Sequence, residues 1–325
     1  MKNIFITGIT GQDGLFLTNK ILDSEQKIRV FGNSRSDNQS VFFNKLSTIS
    51  TNNFKNIEFL NVDLENYNQT ESFLKDIKPE IIYNLSGPSS VYESISDNGY
   101  TYKKITNIFD NIIKSVFSIN AYLPYIFQSS SSEMFAANNS GVFNEGSNFE
   151  PLTPYAQAKY ENHLRVLDLN SKGLNIKSGI MFNHESEFRT DDYLIMKIIN
   201  SAIDIKNNQQ KKLTLGSLNQ VRDWTFAGDV AEAIYKITNF GKSDSYVIGA
   251  GRSNKIEDMV NIVFSYFNLD WKEFVEEDKK LLRDGSLKKV VANPKKINNE
   301  LGWEAKLSFE DLLLRCIEKK YQATG

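Results

Sequence analysis

The turn Gly8-Ile9-Thr10-Gly11-Gln12-Asp13-Gly14 constrains this chain more than any other feature. It follows a short apolar run, Ile4-Phe5-Ile6, and precedes Leu15–Leu22, whose apolar residues recur at helical spacing. Strand, glycine-rich turn and helix in that order make a phosphate cradle. Backbone N–H groups at the helix N-terminus face an anion, and the glycines let a pyrophosphate come close. Alone, the turn also fits an ordinary tight loop. Its meaning comes from a second motif, Tyr155-Ala156-Gln157-Ala158-Lys159, whose tyrosine and lysine share one helix face. Together the two motifs read as a dehydrogenase-type site for a dinucleotide.

The first half of the chain alternates strands and helices. Strand-like runs fall at Ile4–Thr7, Arg29–Gly32, Ile57–Val62, Ile81–Leu85 and Tyr125–Ser129, with helical stretches between them that include Glu71–Ile77 and Ile105–Ile119. A helix from Pro154 to about Leu169 carries the Tyr-Lys pair, and a sixth strand, Ile176–Phe182, follows it. This pattern predicts an α/β fold, a doubly wound parallel sheet of the Rossmann kind, with ligand at the carboxyl ends of the strands. Residues 1–182 are expected to bind the dinucleotide. Residues 183–325 are more charged and less regular, and are expected to form a smaller substrate-binding part. Its segments Phe182–Asp192 and Gly216–Asp229 are the expected binding loops, and some of its elements return to the main sheet. Helices are expected at Met259–Phe267 and Phe309–Tyr321.

Several function classes fall away. A net charge of −2 argues against a nucleic-acid partner. No apolar run reaches membrane-spanning length. The single cysteine, Cys316, excludes an internal disulfide and reads as a packing residue in an apolar helix. The two histidines, His163 and His184, lack metal-ligand spacing, so no metal is expected. With a strand starting at the N-terminus there is no room for a signal peptide, and the expected location is the cytoplasm.

The end of the second strand selects the dinucleotide. An acidic residue about 20 positions after the glycine turn would hold a ribose 2′-hydroxyl. This chain has Asn33-Ser34-Arg35-Ser36 there, and Arg35 can pair with a 2′-phosphate, which favours NADP over NAD. Asp37, two residues on, argues the other way, and Arg35 as a solvated loop residue stays open. Asp63-Leu64, at the end of the third strand, fits either an adenine contact or a helix N-cap.

Tyr155 is the candidate acid/base for a sugar hydroxyl. A phenol near its ordinary pKa of about 10 is too protonated to act well, and a Lys159 ammonium beside a positive nicotinamide would stabilise the phenolate. Upstream, the fifth strand runs into Gln128-Ser129-Ser130-Ser131-Ser132-Glu133. If the strand continues, Ser131 and Glu133 point to one side. A simple dehydrogenase needs a hydroxyl here, not a carboxylate. Glu133 can remove a proton alpha to a ketone and return it to a leaving hydroxyl, which is dehydration chemistry. A solvated Glu in a serine-rich loop is the plain alternative.

These residues resemble the extended short-chain dehydrogenases and, within them, the GDP-mannose 4,6-dehydratase family. The resemblance runs from Met1 to about Leu314. It rests on the glycine turn, Ser131-Ser132-Glu133, Pro154-Tyr155-Ala156, Phe182-Asn183-His184-Glu185-Ser186, Arg222-Asp223-Trp224 and Gly302-Trp303. It implies that Glu133 and Tyr155 are catalytic with Lys159, and that Ser131 stands for a threonine that hydrogen-bonds O4. It implies NADP contacts from Gly8, Thr10, Gly11, Gln12, Asp13, Gly14, Arg35, Asp63, Leu64, Leu85, Ser86, Gly87, Pro88, Ser89, Tyr100, Lys159, His184 and Arg189. Asn183, Lys197, Arg222 and Arg283 would bind the GDP portion, although Arg222 also fits a structural ion pair. A homodimer or homotetramer follows from the resemblance as well.

The chain departs from the family at Leu85-Ser86-Gly87-Pro88-Ser89-Ser90, where an Ala-Gln-Ser-His run is usual, and at Ser131 and Ala136. The smaller side chains make room beside the hexose. GDP-mannose and GDP-N-acetylglucosamine, the latter used in bacterial legionaminic acid synthesis, both stay open as substrates. The rival readings are a nucleotide-sugar epimerase or reductase on the same fold, and a non-catalytic cofactor-binding protein.

Overall fold

Residue parity along the first strand decides how the molecule is layered. In β1 (Lys2–Thr7), Ile4 and Ile6 face one side of the sheet and Phe5 the other. All three are fully buried, as expected for a parallel strand covered on both faces. The protein is described by a computed structural model covering residues 1–34, 39–135, 140–281 and 289–324. Arg35 and Arg283 therefore lie outside the described residues, as does Ala136.

The remaining strands of the main sheet are β2 (Ile28–Asn33), β3 (Ile57–Leu60), β4 (Ile81–Asn84), β5 (Tyr125–Ser131), β6 (Ile176–Met181) and β7 (Ser245–Ile248). All pair in parallel, in the order β7-β6-β5-β4-β1-β2-β3. The order reverses between β1 and β4, and the crevice at such a switch point is where a doubly wound sheet takes its ligand.

Helix α1 (Gln12–Ser24) covers one face together with α2 (Gln39–Ile49). The other face carries α3 (Tyr67–Ile77), α5 (Tyr100–Ser118) and α6 (Pro154–Ser171), with the short α4 (Val91–Ser96) beside them. Asn66 caps α3 by accepting from the Gln69 N–H at 3.2 Å, so the helix N-cap is Asn66 and not Asp63.

A second core lies among α7 (Leu194–Lys206), α9 (Ile256–Tyr266) and α12 (Phe309–Thr324), with the short α10 (Trp271–Phe274) at its edge and Trp224 stacked on Phe309 at 5.3 Å. Cys316 is buried in it. The chain crosses between the two cores more than once. Helix α8 (Ala227–Phe240) packs against α1, β7 extends the main sheet, and α11 (Lys295–Leu301) lies against both. In the opposite direction, the strand Gly141–Phe143 joins a four-stranded sheet with Val221–Arg222, Asn254–Lys255 and Lys289–Ala292. Among the described residues no helix is long and apolar enough to cross a membrane.

Candidate active site

The glycine turn opens the site. Gly8 has φ +66°, a left-handed conformation that a side chain disfavours, and an added Cβ would press on Leu85 and Ser86 in the turn after β4. At Gly14 a Cβ would lie 2.5 Å from the Ile9 Cα, so only glycine lets α1 pack so tightly on the turn. Gly11 is the N-cap of α1 and supplies no side-chain acceptor, leaving the first N–H groups of the helix turned toward the crevice. Thr7 ties the strand ends together. Its hydroxyl accepts from the Leu85 and Ser86 N–H groups at 3.0 and 2.9 Å and donates to Asn84 at 2.9 Å.

Beside this cradle, Asn33, Asp63, Leu64, Ser86 and Gly87 line a cavity with Val62, Glu65, Lys104 and Ile108. Asp63 accepts from the Glu65 N–H at 3.0 Å, which shapes that turn. Sequence reasoning missed Lys104, which is 4% exposed and paired with Glu65 at 2.9 Å. Its signal was present: a lysine on the Thr101, Ile105, Ile108 stripe of α5, where a solvated residue does not belong.

The catalytic candidates meet at the ends of β5 and α6. Thr153 caps α6 by accepting from the Ala156 N–H at 3.2 Å, and the helix starts at Pro154, which places Tyr155 in its first turn. Lys159, 6% exposed, donates to the Ser129 carbonyl and hydroxyl at 3.0 and 3.1 Å. It lies 5.7 Å from the centroid of the Tyr155 ring. Burial lowers Lys159 to about 8, with Asp13 opposing.

β5 does not continue to Glu133. It ends at Ser131, whose hydroxyl accepts from the Glu133 N–H at 3.2 Å and starts a single 3₁₀ turn, Ser132–Met134. A local hydroxyl cap replaces the next ladder bond. The turn still brings Ser131 and Glu133 to Tyr155. Burial pushes the Tyr155 phenol above its ordinary value; the Ser131 hydroxyl and the Arg189 guanidinium pull it down, and Glu133 and Tyr193 push it up. The Lys159 ammonium is engaged with Ser129 rather than with the phenol oxygen.

Segment 183–189 closes the site from the second core. Its short strand Asn183–Glu185 pairs with Trp224–Phe226, which brings the two expected binding loops side by side. Gln12 donates to the His184 carbonyl at 3.0 Å and accepts from Ser186 at 2.9 Å. Burial opposes charge on both Asp13 and His184, but the 3.0 Å pair between them lowers the carboxyl and raises the imidazole. Arg189 pairs with buried Glu185 at 2.9 Å.

The expected GDP residues are spread more widely. Asn183 stands beside Trp224. Lys197, exposed on α7, donates to the Thr214 carbonyl at 3.2 Å. Arg222 donates to the Val221 carbonyl and to Gln220 at 2.9 and 3.2 Å. The neighbouring Asp223 carboxylate accepts from the Ala250, Gly251 and Ala292 N–H groups at 2.8–3.1 Å, which anchors the loops around it. The Tyr100 hydroxyl is hydrogen-bonded to Lys104, which lines the cavity beside the glycine turn. Pro88 and Ser89 form the rim of the crevice, and Ser89 is exposed.

Below β5, His163 hydrogen-bonds Ser178 at 2.9 Å, and Ser178 bonds Ser130 at 2.8 Å. Burial lowers His163 from 6.5 to about 4. Between those values the unfolded chain binds more protons than the folded one, so this group's contribution to stability is lost as pH falls. The expected result is that His163→Gln gains on the wild type by up to about 3 kcal/mol between pH 6.5 and 4 in denaturant titrations. A difference that stays constant with pH contradicts this.

The family model described as GDP-mannose 4,6 dehydratase matches residues 5–316. GDP-mannose 4,6 dehydratase 1 of Arabidopsis thaliana is 31% identical over 324 residues, covering 98% of this chain and 89% of that protein. The crystal structure of dTDP-glucose 4,6-dehydratase from Bacillus anthracis in complex with NAD superposes with a TM-score of 0.84 at 19% identity, covering 99% of this chain and 97% of that one. The structure of RMD from Pseudomonas aeruginosa complexed with NADPH gives 0.76 at 16% identity, covering 98% and 99%. The two structures share the fold, and the sequence match, nearly end to end, says more: this chain belongs to the GDP-mannose 4,6-dehydratase family.

Proposed function

We propose that the protein is a nucleotide-sugar 4,6-dehydratase that converts a GDP-hexose to its 4-keto-6-deoxy derivative with bound NADP. The observation that carries this is Glu133, a carboxylate in the 3₁₀ turn that Ser131 caps, whose charge acts on the Tyr155 phenol. An epimerase or reductase needs the Tyr-Lys pair but no carboxylate at this point.

The residues present fit a dinucleotide. The cradle of Gly8, Gly11 and Gly14 leaves backbone N–H groups for a pyrophosphate, and the cavity of Asn33, Asp63, Leu64 and Gly87 suits an adenosine. A bound nicotinamide would supply the redox chemistry, as acceptor of hydride from C4 of the hexose and donor of hydride to C6. Tyr155 takes the proton of the C4 hydroxyl, with Ser131 holding the phenol oxygen. Lys159, fixed on Ser129, keeps a positive charge beside the ring. The ketone at C4 acidifies C5–H, and Glu133 removes that proton and passes one to the leaving C6 hydroxyl, which departs as water; as C6 receives hydride, C5 regains a proton, balanced by the one that Tyr155 took from the C4 hydroxyl. Asn183, Lys197, Arg222 and Arg283 are the proposed GDP contacts: the three cations suit phosphate, and the Asn183 amide adds a neutral donor and acceptor.

The test is incubation with GDP-, UDP-, dTDP- and CDP-hexoses, followed by mass spectrometry. Loss of water from GDP-mannose or GDP-N-acetylglucosamine is expected. Turnover of UDP-sugars alone overturns the nucleotide assignment. Between the two hexoses, the small residues at Pro88 and Ser90 favour room for an acetamido group, and the ratio of kcat/KM decides.

NADP over NAD rests on Arg35. Arg35→Ala is expected to weaken NADP by about 1.5–3 kcal/mol, the worth of a hydrogen bond to a charged group, while NAD changes little. Calorimetry showing equal weakening of both, or a purified protein carrying NAD alone, contradicts that choice.

A further inference from the structure

Tyr193 occupies the N-cap of α7, a position that favours Ser, Thr, Asp or Asn, and its side chain makes no capping bond. Instead it crosses the crevice. Its hydroxyl lies 2.7 Å from that of Ser89, 104 positions away in the turn after β4. The ring is held from behind: the Arg189 guanidinium lies 3.4 Å from its centroid and is fixed by buried Glu185. A tyrosine so placed does nothing for the helix that it precedes. It links the cofactor-side turn to the second core across the mouth of the site.

We propose that Tyr193 and Ser89 are specificity-determining residues, whose paired hydroxyls form the wall that reads the hexose of the nucleotide-sugar. This rests on the substrate class proposed above. When two hydroxyls bond to each other, one donates, so one O–H and several lone pairs are left over. Sugar hydroxyls and an acetamido group offer the complementary donors and acceptors. Ser89 is exposed and Tyr193 half-buried, so the pair can be reached from the crevice. Tyr193 also acts electrostatically on Tyr155, as does Arg189, which places this wall beside the acid/base that must meet the C4 hydroxyl. The ring is clamped, so its hydroxyl is presented in one position, and the ordering cost of recognition falls on the sugar alone.

The test uses Tyr193→Phe, which keeps the ring on Arg189 and removes the hydroxyl, and Ser89→Ala, which removes the partner from the other side. Each is expected to lower kcat/KM for the preferred GDP-hexose about tenfold and to narrow its preference over other GDP-hexoses. That loss corresponds to about 1.4 kcal/mol. Affinity for GDP alone, by calorimetry, and the melting temperature should stay at wild-type values, which a merely structural strap would not predict. The double variant should be little worse than either single one, because the pair acts as a unit. An unchanged kcat/KM in Tyr193→Phe, or GDP and GDP-hexose weakened equally, overturns the proposal. A wild-type protein that dehydrates no GDP-hexose overturns the substrate reading, and this one with it.

Discussion

Glu133→Gln is expected to stop dehydration while leaving the first oxidation in place. The amide keeps the size of the side chain and can still occupy the 3₁₀ turn that Ser131 starts, because the turn is held by the backbone N–H at position 133. It cannot take a proton. C5–H therefore stays in place and the C6 hydroxyl has no acid, so water release should fall by about 10² to 10⁴, the usual range for one general acid/base. That is about 3–5 kcal/mol of barrier. With GDP-hexose the variant should still reduce its cofactor slowly, visible as near-ultraviolet absorbance that rises and stays. The wild type returns the electrons within each turnover and shows no lasting rise. Dehydration at the wild-type rate in Glu133→Gln assigns the proton transfer to another group, and the case against an epimerase goes with it.

Tyr155→Phe should fail earlier. Burial and the Glu133 charge hold the phenol protonated, with the Ser131 hydroxyl and Arg189 working against them. Its proton can leave readily only when a sugar hydroxyl and further positive charge are in place. Removing the oxygen takes away the base for the C4 hydroxyl, so neither the absorbance rise nor the loss of water should occur, with a fall in rate of at least about 10². GDP-hexose should still bind, since the phosphate contacts are elsewhere. Both changes are measured in one stopped-flow and mass-spectrometric series. Cofactor reduction by Tyr155→Phe at an appreciable rate contradicts the assignment of the base.

The two variants also separate the rival readings. An epimerase or reductase would lose activity in Tyr155→Phe and keep it in Glu133→Gln. A non-catalytic cofactor-binding protein would show no turnover in any form.

Much of this architecture is written locally. The turn needs glycine at position 8 because φ is positive there, and at position 14 because the helix packs on Ile9 with no room for a Cβ. Both demands are met within a few residues, so the motif is readable without the rest of the fold. The apolar runs Ile4–Ile6 of β1 and Ile81–Tyr83 of β4 are equally local: a parallel strand covered on both faces needs apolar residues of both parities. The Tyr155-Lys159 pair follows from helix period alone, with Thr153-Pro154 marking where that helix begins.

What the sequence could not reveal depends on contacts between distant segments. Ser131 and Glu133 looked like alternating strand positions, but the Ser131 hydroxyl competes for the next N–H and turns the chain. Lys159 looked like a direct partner of the phenol, but its ammonium donates to the Ser129 carbonyl and hydroxyl on β5. His184 and Asp13 are 171 positions apart, and only the fold of the second core onto α1 joins them. Tyr193 carries no local signal at all, and its meaning appears only where it reaches Ser89. By itself the sequence determined the sheet, the glycine turn and the placing of Tyr155 and Lys159 on one helix face, because turn conformation, strand parity and helix period act over a few residues. Tertiary structure alone decided which charges meet and which side chains cross the crevice, because those energies belong to pairs of groups that the chain brings together only when both cores have closed.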